Sequence, residues 1–312
     1  MSKVTNILAI VDPTAAEQPA VEKAAVLAEK FHARLELYVC DTRAAREARL
    51  ARDRAKDPTR LLDVNLRPML DKLAEPIRAR GVDVTVESEY ADVLHDGLLA
   101  RTKRTSADLV VKDTHHHSLA KRTFITNTDW HLIRGCPVPL LLTKATKWSA
   151  QPKVVAAVDP GHVNDKPAAL DVRILQHAAA VAKCLGGELH VAHAYLPLAI
   201  VAAATVGTPP MIATVPPEAL NAEHETKLKE LTALAKSYQS DPDKIHLDVA
   251  SPTEFIPRIA ETLSADIVAM GAIARSGLKR IFIGHTAENV LERLPCDALI
   301  VKPPNFDVDM SF

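Results

Sequence analysis

The residues whose types and spacing suit chemistry lie in one stretch, Gly271-Ala272-Ile273-Ala274-Arg275-Ser276-Gly277 and then Gly284-His285-Thr286. The chemistry is phosphate binding. Gly271 and Gly284 let backbone amides approach an anion closely, and a helix starting near Thr286 presents unpaired amides and its positive dipole end. His285 and Thr286 add side-chain donors. The same residues also suit plain turns and a helix N-cap, so both readings stand. Two further acids, in Asp12-Pro13 and Asp159-Pro160, end apolar runs. A carboxylate there either caps a turn or helix or meets a ligand's base or ribose.

His115-His116-His117 suggests metal at first sight. Neighbours in an extended loop point in different directions, and no Cys or HxxxH pair lies beside them; Asp113 and His131 are the conceivable partners. No metal is expected, and a solvated loop is the default. GxSxG, the P-loop Gly-Lys-Ser/Thr and GxGxxG after the first strand are all missing. A weak nucleotide hydrolase would need a group to position water and usually Mg²⁺, and neither is evident.

The elements that must position these residues come in a regular order. Ile7–Val11 and Val154–Val158 are continuous apolar runs stopped by Asp-Pro, which fits central parallel strands. Each is followed by a helix (16–32 and 166–185), a second strand (35–39 and 188–192), an insert and a long helix (59–80 and 217–238). Leu61, Leu62, Val64, Leu66, Leu70 and Leu73 give the first long helix its apolar stripe. A third strand (82–86 and 245–249), a helix (92–103 and 253–263), a fourth strand (108–112 and 266–270), a loop, a last helix and a fifth strand complete each half. Alternating strands and helices predict an α/β fold: two tandem, doubly wound, five-stranded parallel sheets covered on both faces. Ligands then bind beyond the carboxyl ends of the strands, where the Asp-Pro turns and the Gly271–Thr286 loop project.

The order repeats because the sequence repeats. Ser106-Ala107-Asp108 recurs as Ser264-Ala265-Asp266, and an ungapped shift of 158 keeps ten of the 27 residues from Ser106 to Leu132. The two domains are expected at 1–146 and 152–305, with the link near Lys144–Lys153. The 312 residues suffice for both.

A net charge of −1 gives no field to recruit nucleic acid or an anionic membrane, and 4% aromatic residues are too few for base-stacking platforms. Four separated cysteines without a CxxC pair, and an opening without a signal peptide, predict a cytoplasmic protein. Tyr195–Pro217 carries no charge, but Pro197, Gly207, Pro209, Pro210, Pro216 and Pro217 argue against a membrane span. This segment is read as cover for a core, the other half or a partner; an apolar small molecule beneath it, carried or sensed, is the alternative. At the same place the first half has Arg43, Arg46, Arg49, Arg52, Arg54 and Arg60 among Glu47, Asp53 and Asp57, read as a solvent-exposed helix laced with ion pairs.

The Asp-Pro turns, the Gly271 loop and Gly284-His285-Thr286-Ala287-Glu288-Asn289-Val290 together resemble the universal stress protein family. The resemblance covers nearly the whole chain as two copies, and Thr128-Asp129-Trp130-His131-Leu132 is similar to the tandem, E-type bacterial members. It implies a role in survival under stress, a binding and regulatory module and not an enzyme, and halves that pair as separate subunits do. Whole chains are then free to associate further as a homo-oligomer. The resemblance also implies ATP or ADP as ligand, through a loop Gly-x2-Gly-x9-Gly-Ser/Thr. Laid on this sequence, the loop falls on Gly271, Ala274, Gly284 and His285, so half of the pattern has departed. In the first half the same positions are Asp113, His116, Thr126 and Asn127, and none matches. Any nucleotide is therefore expected in the second half, at Asp159, Pro160, Gly271, Ala274, Gly284, His285 and Thr286.

Overall fold

The computed structural model describes residues 4–57, 61, 64–114, 125–161, 169–197, 216–272 and 285–303. The first half contributes β1 (Asn6–Ile10), α1 (Pro19–Phe31), β2 (Arg34–Asp41), α2 (Arg43–Lys56), α3 (Arg67–Arg78), β3 (Val84–Tyr90), α4 (Leu94–Arg104), β4 (Leu109–Asp113), α5 (Asn127–Gly135) and β5 (Leu140–Thr143). The second contributes β6 (Lys153–Ala157), α6 (Ala169–Leu185), β7 (Glu188–Tyr195), α7 (Pro217–Ala235), a 3₁₀ turn (Pro242–Lys244), β8 (Ile245–Val249), α8 (Pro252–Leu263), β9 (Ile267–Gly271), α9 (His285–Arg293) and β10 (Asp297–Val301).

The α/β expectation holds, with one addition. Each half orders its parallel strands 3-2-1-4-5, and the two sheets are continuous: the order is β3-β2-β1-β4-β5-β10-β9-β6-β7-β8. The seam is antiparallel, with Ala298 opposite Leu142, Leu299 opposite Leu141 and Ile300 opposite Leu140. Strand alternation feeds two cores. Ile7, Ala9 and Val11 pack on the side of α1, α3, α6 and α7. Leu8 and Ile10 pack on the side of α4, α5, α8 and α9. Burial of both faces explains why the strands read as unbroken apolar runs.

The Ser-Ala-Asp repeat has a structural role in both halves. Ser106 and Ser264 sit just after α4 and α8 in the left-handed region, φ 48° and 50°, and turn the chain into the next strand. The acid then clamps the start of its half. Asp108 Oδ2 accepts from the amides of Thr5 and Asn6 at 2.7 and 3.0 Å. Asp266 accepts from the amides of Ser149 and Lys153 at 2.7 and 2.9 Å. These bonds draw the first strand of each half against the fourth.

Two expectations need correction. The helix over 59–80 begins only at Arg67: Pro68, with fixed φ and no N–H, is suited to a first turn and not to an interior. Leu61 and Val64 accordingly leave the stripe and are 78% and 57% exposed; Leu62 lies outside the described residues. The arginine-rich insert is a helix, α2, and Arg43–Glu47 at 2.9 Å is the exposed pair expected of it. Arg49 departs from that reading, being buried against Asp41 at 2.8 Å. Among the described residues, no helix is long and apolar enough to cross a membrane.

Candidate functional site

The carboxyl ends of the strands are built alike in the two halves and then finished differently. After β1, the amide of Asp12 donates to Gln18 Oε1 at 3.1 Å, and the Asp12 carboxylate accepts from Thr14 N and Oγ1 at 2.8 and 2.6 Å. Asp12 is thus a turn cap. After β6, the amide of Asp159 donates to Asp171 Oδ1 at 3.1 Å. Asp159 Oδ1 lies 3.7 Å from His193 Nδ1, and that nitrogen is 3.0 Å from the Val158 carbonyl.

Sequence reasoning missed the polar cluster that continues from here. His193 is buried in β7, its ring 6.3 Å from that of Tyr195, and Tyr195 Oη lies 3.2 Å from His224 Nδ1 on α7. The alternation of β7 could have signalled it. Leu189, Val191, His193 and Tyr195 share one face, so two polar residues fall on a core-facing row.

The predicted phosphate residues are partly visible. Gly271 ends β9, and a Cβ there would lie 2.7 Å from Leu170 Cδ2 and 3.2 Å from Ile174 Cδ1. Its missing side chain therefore also lets α6 pack on the sheet. His285 opens α9, and Thr286 in its first turn is exposed. Pro160 is half-buried beside Asp159. Ala274, Gly284, His115, His116 and His117 lie outside the described residues, as does 198–215 of the uncharged segment. No group of three or more metal-ligating side chains occurs among the described residues.

In the first half the corresponding place holds a cavity of about 320 Å³. Ile10, Asp12, Lys112 and Asp113 come from the strand ends, and Ala44, Ala45 and Ala48 of α2 form one wall. That wall is anchored by Asp41, which accepts from Arg46 at 2.6 Å and Arg49 at 2.8 Å. Both arginines hold the Asp41 carboxyl below its ordinary range against the opposing effect of burial. Asp113 has a different environment. Burial pushes its carboxyl up to about 6, against a 2.6 Å hydrogen bond from Thr143 Oγ1.

At the lining of the cavity, α5 starts with a capping box. Thr126 Oγ1 accepts from the Asp129 amide at 3.2 Å, while Asp129 Oδ2 accepts from Thr126 N at 2.8 Å. Asp129 is fully buried, and its Oδ1 lies 2.7 Å from Lys112 Nζ.

The universal stress protein family model matches residues 3–144 and again 152–302. The chain belongs to the universal stress protein family. It is a tandem member: universal stress protein E of Salmonella typhi is 26% identical over 316 residues, covering 100% of this chain and 98% of the relative. The universal stress protein E homolog of Haemophilus influenzae is likewise 26% identical, over 98% of this chain and 99% of its own length. A crystal structure of a functionally unknown protein from Pseudomonas aeruginosa PAO1 superposes with a TM-score of 0.75 at 26% identity, covering 96% of this chain and 93% of that one. A universal stress protein from Archaeoglobus fulgidus shares the fold over 96% of the chain and 99% of its own, at TM-score 0.62 and 16% identity. Family membership makes this a stress-response protein built from two universal stress protein domains.

Proposed function

We propose that the chain is a cytoplasmic binding and regulatory module of the stress response, without catalytic activity of its own, that takes ATP or ADP in its second half. Its domains are assigned to 1–146 and 152–305. The nucleotide would lie across the carboxyl ends of β6 and β9, with Asp159 and Pro160 on the base and ribose side. Gly271, Ala274, Gly284, His285 and Thr286 would surround the phosphates.

One observation carries this reading: the start of α9. Its first turn has exposed Thr286 followed by Ala287, where α5 has Thr128 and the buried carboxylate Asp129. The amide end of α9 therefore has no aspartate at its third residue, and a helix start of that kind favours an anion. Ala274 opposes the reading, because a methyl group there disfavours positive φ.

Titration calorimetry with ATP and ADP tests it. The wild-type chain should bind one nucleotide, and Gly284→Val should abolish the binding. Equal affinity in the Gly284→Val variant would remove the phosphate site from the second half.

A further inference from the structure

We infer that Asp129 is a built-in anion that closes the first-half cavity to phosphate-bearing ligands. The inference rests on the proposed nucleotide reading only in taking the second half as its point of comparison. The geometry belongs to the first half alone.

A phosphate at a helix start is held by free amides and a nearby cation. Both are present at α5, and the Asp129 side chain takes the cation and the N-cap amide. Asp129 Oδ2 accepts from Thr126 N and Thr126 Oγ1, each at 2.8 Å. Its other oxygen is 2.7 Å from Lys112 Nζ, with Lys112 7% and Asp129 0% exposed. Lys112 Nζ also donates to the Asp113 carbonyl at 2.8 Å, which fixes the ammonium at the end of β4. Lys112, Thr126 and Thr128 line the cavity, so an entering anion would meet the ammonium and the cap that Asp129, itself fully buried, holds from behind. A phosphate would have to displace a buried carboxylate from its cation and cap, and would also meet Asp113 at close range.

The second half serves as the internal control. At the 158-residue shift, Lys112, Asp113 and Asp129 become Met270, Gly271 and Ala287. Cation and carboxylate are present together in one half and absent together in the other. Asp129 is thus a specificity-determining residue: it makes the first-half cavity a place for ligands without a phosphate.

The test uses the full chain carrying Gly284→Val, so that the second half is silent, and inorganic pyrophosphate as probe. Adding Asp129→Ala, the residue type found at 287, should tighten pyrophosphate binding about tenfold over the Gly284→Val parent. A further Lys112→Met should remove the gain. Asp129→Asn keeps an acceptor for the Thr126 cap and gives the same answer if the alanine variant fails to fold. Asp129→Asn protein with wild-type circular dichroism that binds pyrophosphate no tighter than its parent would overturn the inference. Failure of the otherwise wild-type chain to bind ATP would count against the nucleotide reading and leave this comparison intact.

Discussion

Lys23 on α1 and Asp297 on β10 form an ion pair of 2.7 Å between the two halves, with side chains only 8% and 2% exposed. The carboxylate also accepts from the Lys144 amide and from Trp148 Nε1, both at 2.8 Å, while Lys23 reaches the Lys144 carbonyl at 2.9 Å. One helix, the linker and the seam strand therefore meet at a single acid. Removing one partner of such a pair leaves a buried charge, so Lys23→Met should cost about 3 kcal/mol. Urea unfolding followed by tryptophan fluorescence measures it. The double variant Lys23→Met/Asp297→Asn, which removes the orphaned charge and keeps an acceptor for the Lys144 amide and Trp148 Nε1, should recover part of the loss, and a double variant weaker than the single would contradict this account.

Arg49 holds the arginine-rich helix from within. It is buried against Asp41, with Arg46 on the same carboxylate, and together they fasten α2 over the first-half cavity. Arg49→Ala should destabilise the chain by about 2 kcal/mol, less than a fully orphaned acid because Arg46 remains. Hydrogen exchange should quicken along α2 and not in the second half. Uniform exchange across both halves would show that α2 is not fastened locally.

Two half-buried groups, one in each half, titrate in opposite senses. Asp113 is raised from 3.8 to about 6 by burial, so the folded chain favours its protonated form. Stability from this group is full below the unfolded value and is lost as pH rises towards 6. His177 on α6 is lowered from 6.5 to about 4 by burial, with Arg173 nearby as a lesser cause. Its contribution is full above 6.5 and is lost as pH falls towards 4. Each contributes up to about 3 kcal/mol, in opposite directions. The wild-type profile between pH 4 and 6 should therefore be shallow. Asp113→Asn should leave stability rising with pH across this range, and His177→Gln should leave it falling. Thermal melts at half-unit pH steps read both slopes, and parallel profiles in the two variants would exclude the assignment.

Adjacent glycines after α6 should respond differently to alanine. Gly186 has φ +66° with open space around it, so Gly186→Ala costs only the left-handed penalty, about 1 kcal/mol. At Gly187 a Cβ would lie 1.9 Å from the carbonyl oxygen of Pro152, whose acceptor bond from Glu188 N joins β7 to the linker. Gly187→Ala must move backbone and should cost about 3 kcal/mol. Similar melting temperatures for the two variants would refute the distinction.

These contrasts also show what the sequence makes legible. Strands such as Ile7–Val11 declare themselves because both faces are buried, so local composition alone marks them. The internal repeat finds the Ser-Ala-Asp clamps without revealing what they hold, because Asp108 and Thr5 are 103 residues apart. Arg49 reads as solvated among its charged neighbours, since nothing local announces that Asp41 turns towards it. Leu61 and Val64 fit an apolar stripe by spacing, and only the Pro68 start of α3 excludes them. At the candidate site, loop chemistry places Gly271 at a strand end and Thr286 in the first turn of a helix, and both lie there. The Lys112–Asp129 pair requires the end of β4 and the start of α5 to meet in space, and His193–Tyr195–His224 requires β7 to meet α7.

The antiparallel seam between β5 and β10 joins two halves that are not interchangeable. At the 158-residue shift Asp297 corresponds to Pro139, so the Lys23–Asp297 contact has no mirror image across the seam. Two identical subunits meeting about a twofold axis must make every contact twice. Joining the subunits into one chain removes that obligation, and a buried charge can be placed on one side with its answer on the other. Such a chain has a left and a right. A second half replaced by another copy of the first would carry proline where the acid stands, and the joint of linker, helix and seam would be lost.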